Sequence, residues 1–321
     1  MKSTRKNILS PLRYPGSKKR LSQYIEKVIE LNQIDSTLFV ELFAGGSSIS
    51  LYLLENNLVN SIGLVEKDPL VASFWQVVFS KNPNDLNWLI EQVSSIDISV
   101  EKWNELKKAT PNNKRERAFA CLFLNRTSFS GIIAPSSGPI GGQNQESEYK
   151  IDCRFPREKI ICRLQQAASL RNKVKFVWNL HWKNGLMRIK KMQNSGSLPE
   201  NILYYLDPPF FHKADRLYSF YFSDKDHEIL RDTVLSLQDH WILSYDYCDD
   251  VRRLYENNEL THIELLYSAS QNAGSKVAKE VIISNLTSLP TNEIKLWQST
   301  EDRKNGDTNS ITNQTLLLDQ I

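Results

Sequence analysis

The stretch that decides the fold is FVELFAGGSSISLYLL, residues 39–54. An apolar run over 37–43 predicts a buried strand, and residues 47–54 predict a helix that follows almost at once. The residues between them, 44–46 (AGG), are small enough for a ligand to approach the backbone. The N–H groups at the start of the helix would face the same ligand. An ordinary strand–turn–helix explains these residues equally well.

A carboxylate ends the next predicted strand. The apolar run at 61–65 (SIGLV) is followed by Glu66, which stands 21 residues after Gly45. An acid about 20 residues from a glycine turn binds ribose hydroxyls in nucleotide-binding α/β folds. The sequence has no complete G-x-G-x-x-G motif here, which argues against a dinucleotide because no pyrophosphate cradle is present. The pattern favours a nucleoside cofactor without phosphates.

Further strands alternate with helices along the chain. Besides the first two, strands are predicted at 173–178, 202–206, 240–245, 262–267 and 280–285, and a helix is predicted at 226–237. Short, β-branched apolar runs separated by helices predict a mostly parallel sheet that is covered on both faces. The fold class is therefore α/β.

One region breaks this alternation. Residues 71–171 are helical and polar in pattern, with a Gly-, Ser- and Pro-rich stretch at 134–142 that indicates a mobile loop. We interpret 71–171 as an insertion between the second and third strands. The rest of the fold is then a discontinuous main domain over 1–70 and 172–289, followed by a polar, weakly ordered tail over 290–321.

The stretch LYYLDPPFF, residues 203–211, ends another predicted strand in an acid and two prolines. Each proline fixes its own φ, and Pro209 pushes Pro208 toward an extended conformation. A rigid arm at the carboxyl end of a strand lies where α/β folds bind ligands. Asp207 and the Pro208 carbonyl are two acceptors beside the ring of Phe210, which suits the amino group of a planar base. A plain turn is the alternative interpretation.

Composition excludes several classes of protein. The chain has 321 residues, is 40 % apolar and carries a formal charge of +3. Its four cysteines form no C-x-x-C pair and have no zinc-like spacing to histidine, so we expect reduced thiols and no metal. No signal-peptide core and no membrane-length apolar stretch is found, so we expect a cytoplasmic monomer with no membrane partner.

A third motif, LRYPGSKKRL at 12–21, is weak alone but completes a set. In order and residues, the three motifs resemble the Dam family of adenine-N6-specific DNA methyltransferases, from Arg13 to about Asn285. RAFACLFLNRTSFSGI at 117–132 is similar to the helix and the start of the hairpin in that family's DNA-reading insertion. SKVAKEVIISN at 275–285 resembles its closing strand.

This resemblance implies a Rossmann-like, S-adenosylmethionine-dependent methyltransferase sheet with an inserted, mostly helical DNA-recognition domain. It implies double-stranded DNA as the partner, and a cognate restriction endonuclease, if one exists, would act separately. The implied catalytic residues are Asp207, Pro208, Pro209 and Phe210. The implied cofactor-binding residues are Tyr14, Gly16, Lys18, Glu41, Phe43, Gly45, Gly46, Ser47, Glu66, Trp182 and Asp207. The implied DNA-binding residues are Arg13, Asn125, Arg126, Ser128 and Ser130.

The chain departs from the family pattern at two places. Phe210 replaces the usual Tyr, which removes a hydroxyl but keeps the stacking face. Asn179-Leu180-His181-Trp182 stands where many relatives have an Asp-Phe pair against the cofactor adenine. Trp182 can supply the ring, whereas a histidine such as His181 more often has a structural role.

The chemistry expected of Asp207 and the Pro208 carbonyl is positional. Hydrogen bonds that they accept from adenine N6 would free its lone pair for methyl transfer. The base would have to be flipped out of the duplex, and Phe210 would stack on it. The aromatic run at 216–222 would close over the base or, as readily, pack on the core.

Alternatives to this function are the N4 amino group of cytosine, an RNA adenine, a non-catalytic DNA-binding protein and a nicotinamide dehydrogenase. An Asp rather than a Ser at position 207 favours adenine within the family resemblance. The intact Asp-Pro-Pro counts against a non-catalytic protein, and the missing pyrophosphate motif counts against a dehydrogenase.

Overall fold

The computed structural model describes residues 10–13, 21–35, 38–212, 220–267, 276–290 and 294–295. Three residues predicted for the cofactor site, Tyr14, Gly16 and Lys18, lie outside the described residues. So does most of the predicted tail.

The described strands form one sheet. In chain order they are β1 (Leu38–Glu41), β2 (Ser61–Glu66), β3 (Val174–Asn179), β4 (Ile202–Leu206), β5 (His240–Asp246), β6 (Thr261–Tyr267), β7 (Lys276–Ser284) and β8 (Ile294–Lys295). Their order across the sheet is β3-β2-β1-β4-β5-β7-β6-β8. The strands from β3 to β5 are parallel, whereas β7 runs antiparallel to both β5 and β6. The predicted Rossmann-like α/β sheet is confirmed.

Two strands end or begin at other residues than predicted, because the polarity of the residues there did not match their place in the structure. The apolar Leu42 and Phe43 were predicted to continue β1, but the strand ends at Glu41 and the chain turns there. Strand β7 begins at Lys276, four residues before the predicted start. Its first four residues, 276–279 (KVAK), include two lysines and an alanine, so the sequence pattern did not predict them as part of a buried strand. The short β8 had no sequence signal.

Helices cover both faces of the sheet. They are α1 (Leu21–Leu31), α2 (Ser48–Glu55), α3 (Pro69–Val78), α4 (Pro83–Ser95), α5 (Val100–Lys108), α6 (Lys114–Thr127), α7 (Arg157–Ser169), α8 (Trp182–Asn194), α9 (Asp224–Leu235) and α10 (Asp249–Leu254). Helices α1–α7 contribute to the core on one face, and α8–α10 to the core on the other. Successive residues of β4 enter opposite cores, as the alternation of side chains along a strand requires: Leu203 and Tyr205 join the first, Tyr204 and Leu206 the second.

Short capped helices fill the region between β2 and β3. The side chains of Asp68, Asn82, Ser99 and Asn113 each accept a backbone N–H at the start of α3, α4, α5 and α6. Helix α3 packs against both β3 and α6. The division into a main domain and an insertion at 71–171 stays a prediction.

The chain after α6 folds back on itself. Ile140 N donates to the Thr127 carbonyl at 2.8 Å, and Phe129 N donates to the Gly138 carbonyl at 3.0 Å. These bonds close a loop over 127–140 whose first turn is a 3-10 helix at Phe129–Gly131. Most of the stretch predicted as a mobile loop, 134–142, therefore lies within a loop whose two ends are joined by backbone hydrogen bonds.

Strand β1 lies at the centre of the parallel part, between β2 and β4. The strand order reverses there, because the chain proceeds outward to β2 and β3 and then returns to β4 on the other side. Open α/β sheets bind ligands outside the carboxyl ends of the strands at such a reversal.

Candidate active site at the carboxyl edge of the sheet

Three carboxylates gather at this reversal. Glu41 ends β1, Glu66 ends β2 and Asp207 follows β4. Burial raises the pKa of Glu41 to about 8; the negative charges of Asp207 and Glu66 add to the rise, and hydrogen bonds from Ser50 oppose it. The structure therefore brings together three of the predicted site residues, Glu41, Glu66 and Asp207, as a carboxylate cluster in which both glutamates are buried and Asp207 is half-buried.

The glycine loop is fixed in shape from two sides. Gly45 has a φ of 44°, in the left-handed region that favours glycine. Its N–H donates to Glu66 Oε2 at 2.8 Å, and its carbonyl accepts from Trp75 Nε1 at 2.8 Å. Ser47 is also left-handed, with a φ of 45°. The loop is thus preorganised by β2 and α3 before any ligand binds.

Glu66 joins two backbone segments. Its other oxygen, Oε1, accepts the N–H of Asp68 at 2.8 Å. Burial and the charge of Asp68 raise the pKa of Glu66 to about 7, although backbone hydrogen bonds oppose this rise. The carboxylate has four lone-pair sites, and backbone bonds from Gly45, Asp68 and Lys67 leave one of them for a further hydrogen bond. The predicted ribose contact stays a prediction with which these bonds are compatible.

Glu41 caps helix α2. The side chain of Ser47, at the N-cap, makes no capping hydrogen bond, and Glu41 Oε1 instead accepts the N–H of Ser50 at 2.9 Å. A negative charge at this end also suits the helix dipole. Its predicted contact with the cofactor stays a prediction.

Aromatic rings form one wall beside the glycine loop. The Phe43 ring lies 6.4 Å from the Trp182 ring and 5.8 Å from the Phe222 ring, centre to centre. Phe222 also contacts the His227 ring at 5.1 Å, so this member of the aromatic run at 216–222 packs on the core. His181 caps α8, since its Nδ1 accepts the N–H of Lys183 at 3.3 Å.

The arm after β4 is held at both ends. Ser244 Oγ donates to Asp207 Oδ1 at 3.2 Å and lies 2.7 Å from the Tyr205 hydroxyl. Because a serine hydroxyl has one hydrogen, Tyr205 donates to Ser244 when Ser244 donates to Asp207. At the far end, Phe211 N donates to Asp246 Oδ1 at 3.2 Å.

The two rings of the arm differ in their surroundings. The Phe211 ring stacks on His227 at 4.3 Å and packs against the core of the second face. Phe210 is half-buried beside it. Ser244 and Asp246, at the end of β5, were not predicted for the site; their signal was a pair of polar residues closing an apolar strand.

Comparison with known protein families identifies this arrangement. A sequence model of the family described as D12 class N6 adenine-specific DNA methyltransferase matches residues 14–269. The chain belongs to this family. No curated protein matches the chain. The prediction of an adenine-specific DNA methyltransferase of the Dam type is confirmed, and the matched residues include the glycine loop, Glu66 and the arm after β4.

The predicted DNA-binding residues of the methyltransferase cluster at the end of α6. The Asn125 side chain accepts the N–H of Arg13 at 2.6 Å and donates to the carbonyls of Arg13, at 2.5 Å, and Gly131, at 2.8 Å. Ser128 is buried, and its hydroxyl accepts from Trp103 Nε1 at 2.9 Å. In this arrangement Asn125 and Ser128 support the fold, whereas a role for either in DNA contact stays a prediction.

The other members of the predicted set differ in exposure. Arg126 is buried, and Ser130 is exposed on the 3-10 turn with a φ of 55°. The neighbouring Phe129 has 54 % of its surface exposed.

Two further findings concern the methyltransferase as a whole. Within the described residues, His212, Cys248 and Asp250 come close enough to hold a metal ion, but Asp250 is already paired with His212 and Arg253. None of the helices in the described ranges combines the length and the apolar character needed to cross a membrane.

Proposed function

We propose that the protein transfers the methyl group of S-adenosylmethionine to N6 of an adenine that has been flipped out of duplex DNA at a specific site. The observation that carries this proposal is the position of Asp207. It follows a central strand, is held by Ser244, and lies in the same carboxylate cluster as Glu66, which accepts the N–H of Gly45 in the glycine loop.

The residues at the strand ends suit S-adenosylmethionine. The glycine loop and the ring of Phe43 offer space and an apolar face for a nucleoside, and Glu66 can accept hydroxyl protons. The carboxylate cluster favours a positive charge nearby, because a cation offsets both the burial that chiefly raises the pKa of Glu41 and the smaller contribution from the charges of Asp207 and Glu66. When bound, S-adenosylmethionine supplies an activated methyl group on a positively charged sulfur.

Asp207 and Pro208 position the amino group of the base. An Asp207 oxygen can accept one N–H of adenine N6 while Ser244 still donates to Oδ1. The Pro208 carbonyl accepts the second N–H, and the nitrogen lone pair then points away from both acceptors. Asp207 also takes the proton that N6 gives up on methylation. Alignment of this kind is worth an effective molarity of about 10⁵ M or more.

Phe210 provides the stacking face for the extruded base. Its backbone is restrained by Pro209 before it and by the Phe211–Asp246 hydrogen bond after it. A ring held in this way needs little further ordering when the base arrives.

The proposal extends to the chain's organisation and partners. Residues 71–171 would carry DNA recognition, inserted into a catalytic domain formed by 1–70 and 172–289, and the enzyme would act as a monomer. The free cysteines fit a reducing cytoplasm. A restriction endonuclease of the same site specificity, where present, would act separately.

A transfer assay tests the proposal. The full chain is incubated with methyl-labelled S-adenosylmethionine and either duplex or single-stranded DNA, and the modified nucleoside is identified after digestion. We expect labelled N6-methyladenine at one sequence in duplex DNA, and none with Asp207→Ala. A folded wild-type protein that binds DNA and transfers no label would support the non-catalytic alternative.

A further inference from the structure

Arg126 is a buried cation without an adequate partner. The residue is only 5 % exposed, although it carries a guanidinium group. Its one hydrogen bond, from Nη1 to the Pro11 carbonyl, is 3.5 Å long, and its buried Nε has no partner. Burying a charge without a partner costs free energy, so some other group is expected to complete this site.

Three more arginines converge on the same place. Burial lowers the pKa of Arg126 to about 9, and the positive charges of Arg13, Arg163 and Arg154 lower it further. Arg13 Nη1 is also buried without a partner. The four residues come from the segment before Tyr14, from α6, from the chain preceding α7 and from α7 itself. We call them the arginine cluster.

The arginine cluster has no neutralising acid in the described part of the chain. The ion pairs found there involve other arginines, such as Arg115 with Asp85 and Arg253 with Asp250. Repulsion among four cations would separate flexible side chains at an exposed surface. Here Arg126 is buried with an unpartnered Nε, and the neighbouring Arg13 has a buried, unpartnered Nη1, so these donors mark a site for an anion.

The backbone around the cluster is rigid. The Asn125 amide binds both the N–H and the carbonyl of Arg13. Gly131 has a φ of 76°, and a Cβ at this position would lie 2.3 Å from the Arg13 carbonyl oxygen. The backbone at Arg13 is therefore tightly fitted to the end of α6, which keeps residue 13 beside Arg126.

We propose that the arginine cluster binds one phosphate group of the DNA backbone. This inference rests on the proposed function. A phosphate fits better than a base edge, because a reader of base edges has to project into a groove, whereas Arg126 is buried. A phosphodiester brings the full negative charge that the cluster lacks, and guanidinium forks bind it through paired hydrogen bonds. The exposed Phe129 and Ser130 on the adjoining turn place the cluster beside a surface that DNA can reach.

The partly and fully exposed members, Arg163 and Arg154, give the cleanest test. Duplex binding by the full chain is measured by fluorescence anisotropy over a range of salt concentrations, for Arg154→Gln, Arg163→Gln and the double variant. The slope of log Kd against log salt should fall by about one unit in the double variant, because a single phosphate contact is lost. A fall of about two units would mean two independent contacts and would overturn the single-phosphate cluster.

Arg115→Gln is the matched control. It lies in the same helix, about 16 Å from Arg126 along the axis, and pairs with Asp85. It should leave the salt slope unchanged, although it removes the same charge as Arg154→Gln. An equal fall in both variants would show diffuse charge rather than a site.

Neutral phosphates locate the contact. Methylphosphonate is placed at one backbone position at a time in a duplex that the wild type methylates. Wild-type affinity should fall most at one position, and the double variant should be indifferent to the substitution there. Weaker binding of S-adenosylmethionine with unchanged DNA binding would assign the cluster to the cofactor carboxylate and reject the proposal. Methyl transfer by the wild type shows independently whether the proposed function holds.

Discussion

The molecule contains two clusters of like charge, and the electrostatic repulsion within each cluster is reduced in a different way. The carboxylate cluster can take up protons: the pKa of Glu41 is raised to about 8 and that of Glu66 to about 7, so both are partly neutral near neutral pH. The arginine cluster cannot shed its charge comparably. A pKa of about 9 still leaves Arg126 almost fully protonated at pH 7.

This difference bears on what each cluster needs. Bound protons can neutralise part of the carboxylate cluster until a cationic ligand binds and the protons are released. The arginine cluster has no such substitute, and among the described residues no acid pairs with it. One cluster is therefore expected to respond to pH, and the other to salt and DNA.

The largest effect should come from the chemical member of the carboxylate cluster. Asp207→Ala removes an acceptor for the amino group and should lower turnover by about 10²–10³-fold or more. Single-turnover transfer measures this, and circular dichroism checks that the variant folds. Asp249→Ala, an exposed acid in α10, is the control and should keep full turnover. Wild-type turnover in Asp207→Ala would make the cluster purely structural.

Glu66→Ala tests whether the carboxylate cluster serves the cofactor and not the DNA. Loss of a charge-assisted hydrogen bond to the ribose should weaken S-adenosylmethionine binding by about 1.5–3 kcal/mol, while DNA affinity is retained. Calorimetric titration with the cofactor measures the first quantity and anisotropy the second. The exposed Glu228→Ala is the matched control. An unchanged cofactor Kd would remove the ribose from the role of Glu66.

The two rings beside the carboxylate cluster should separate function from stability. Phe210→Ala should lose stacking worth about 1–3 kcal/mol, roughly ten- to a hundredfold in binding the extruded base. Phe210→Tyr should be nearly neutral, because the stacking face is retained. Phe211→Ala removes the ring stacked on His227 and should instead lower the free energy of unfolding by about 2 kcal/mol.

Fluorescence of 2-aminopurine at the target position and thermal melting distinguish these outcomes. The reverse pattern, with Phe210→Ala destabilised but active, would place Phe210 in the core.

The pH response of the unliganded protein should follow from Glu41. Its carboxyl binds a proton more tightly in the folded chain than in the unfolded chain, where the pKa is near 4.5. The folded state therefore loses stability as pH rises from about 4.5 through about 8, on the order of 1.4 kcal/mol for each unit of pKa difference. Glu66, whose pKa is about 7, adds to the decline only below that pH, so Glu41→Gln should flatten the decline in urea unfolding between pH 7 and 8, and the exposed Glu91→Gln should not. A decline between pH 7 and 8 that survives in Glu41→Gln would assign the pH response there to other groups.

The smallest effect should come from the residue that holds Asp207. Ser244→Ala removes the hydroxyl that donates to the Asp207 carboxylate and accepts from Tyr205. Because Asp207 itself remains, we expect a loss of about 1 kcal/mol, or about fivefold in kcat, with KM for DNA unchanged. Ser244→Thr retains the hydroxyl and should recover most of the loss. An Ala variant with unaltered kcat would show that Asp207 is positioned by the backbone alone.

Sequence patterns located the elements of the site better than its contacts. Strand-end acids were recognised from spacing, because the period of a buried strand and a following glycine turn are local properties. The capping of α2 by Glu41 and the bridging of Gly45 and Asp68 by Glu66 depend on how the loops close. No local signal encodes those bonds.

Residues from distant parts of the chain were the hardest to predict. Ser244 and Asp246 join the site because β5 lies beside β4 in parallel, a relation visible only once the strand order is known. The arginine cluster assembles positions 13, 126, 154 and 163, which share no period and no motif. Asn125 was selected from a family motif. The two hydrogen bonds between its side-chain amide and the Arg13 backbone had no signal in the sequence.

The central place of β1 has a consequence during synthesis. The strand hydrogen-bonds β2 on one edge and β4 on the other, yet roughly 160 residues separate the end of β1 from the start of β4. At elongation rates of about 5–20 residues per second, the second edge of β1 stays without its partner strand for roughly 8–32 s. A bare, apolar strand edge is a template for wrong pairing over that time. Helices α3–α7 are synthesised during this time. Most of the helical layer on one face of the sheet is therefore present before β4 can pair with β1.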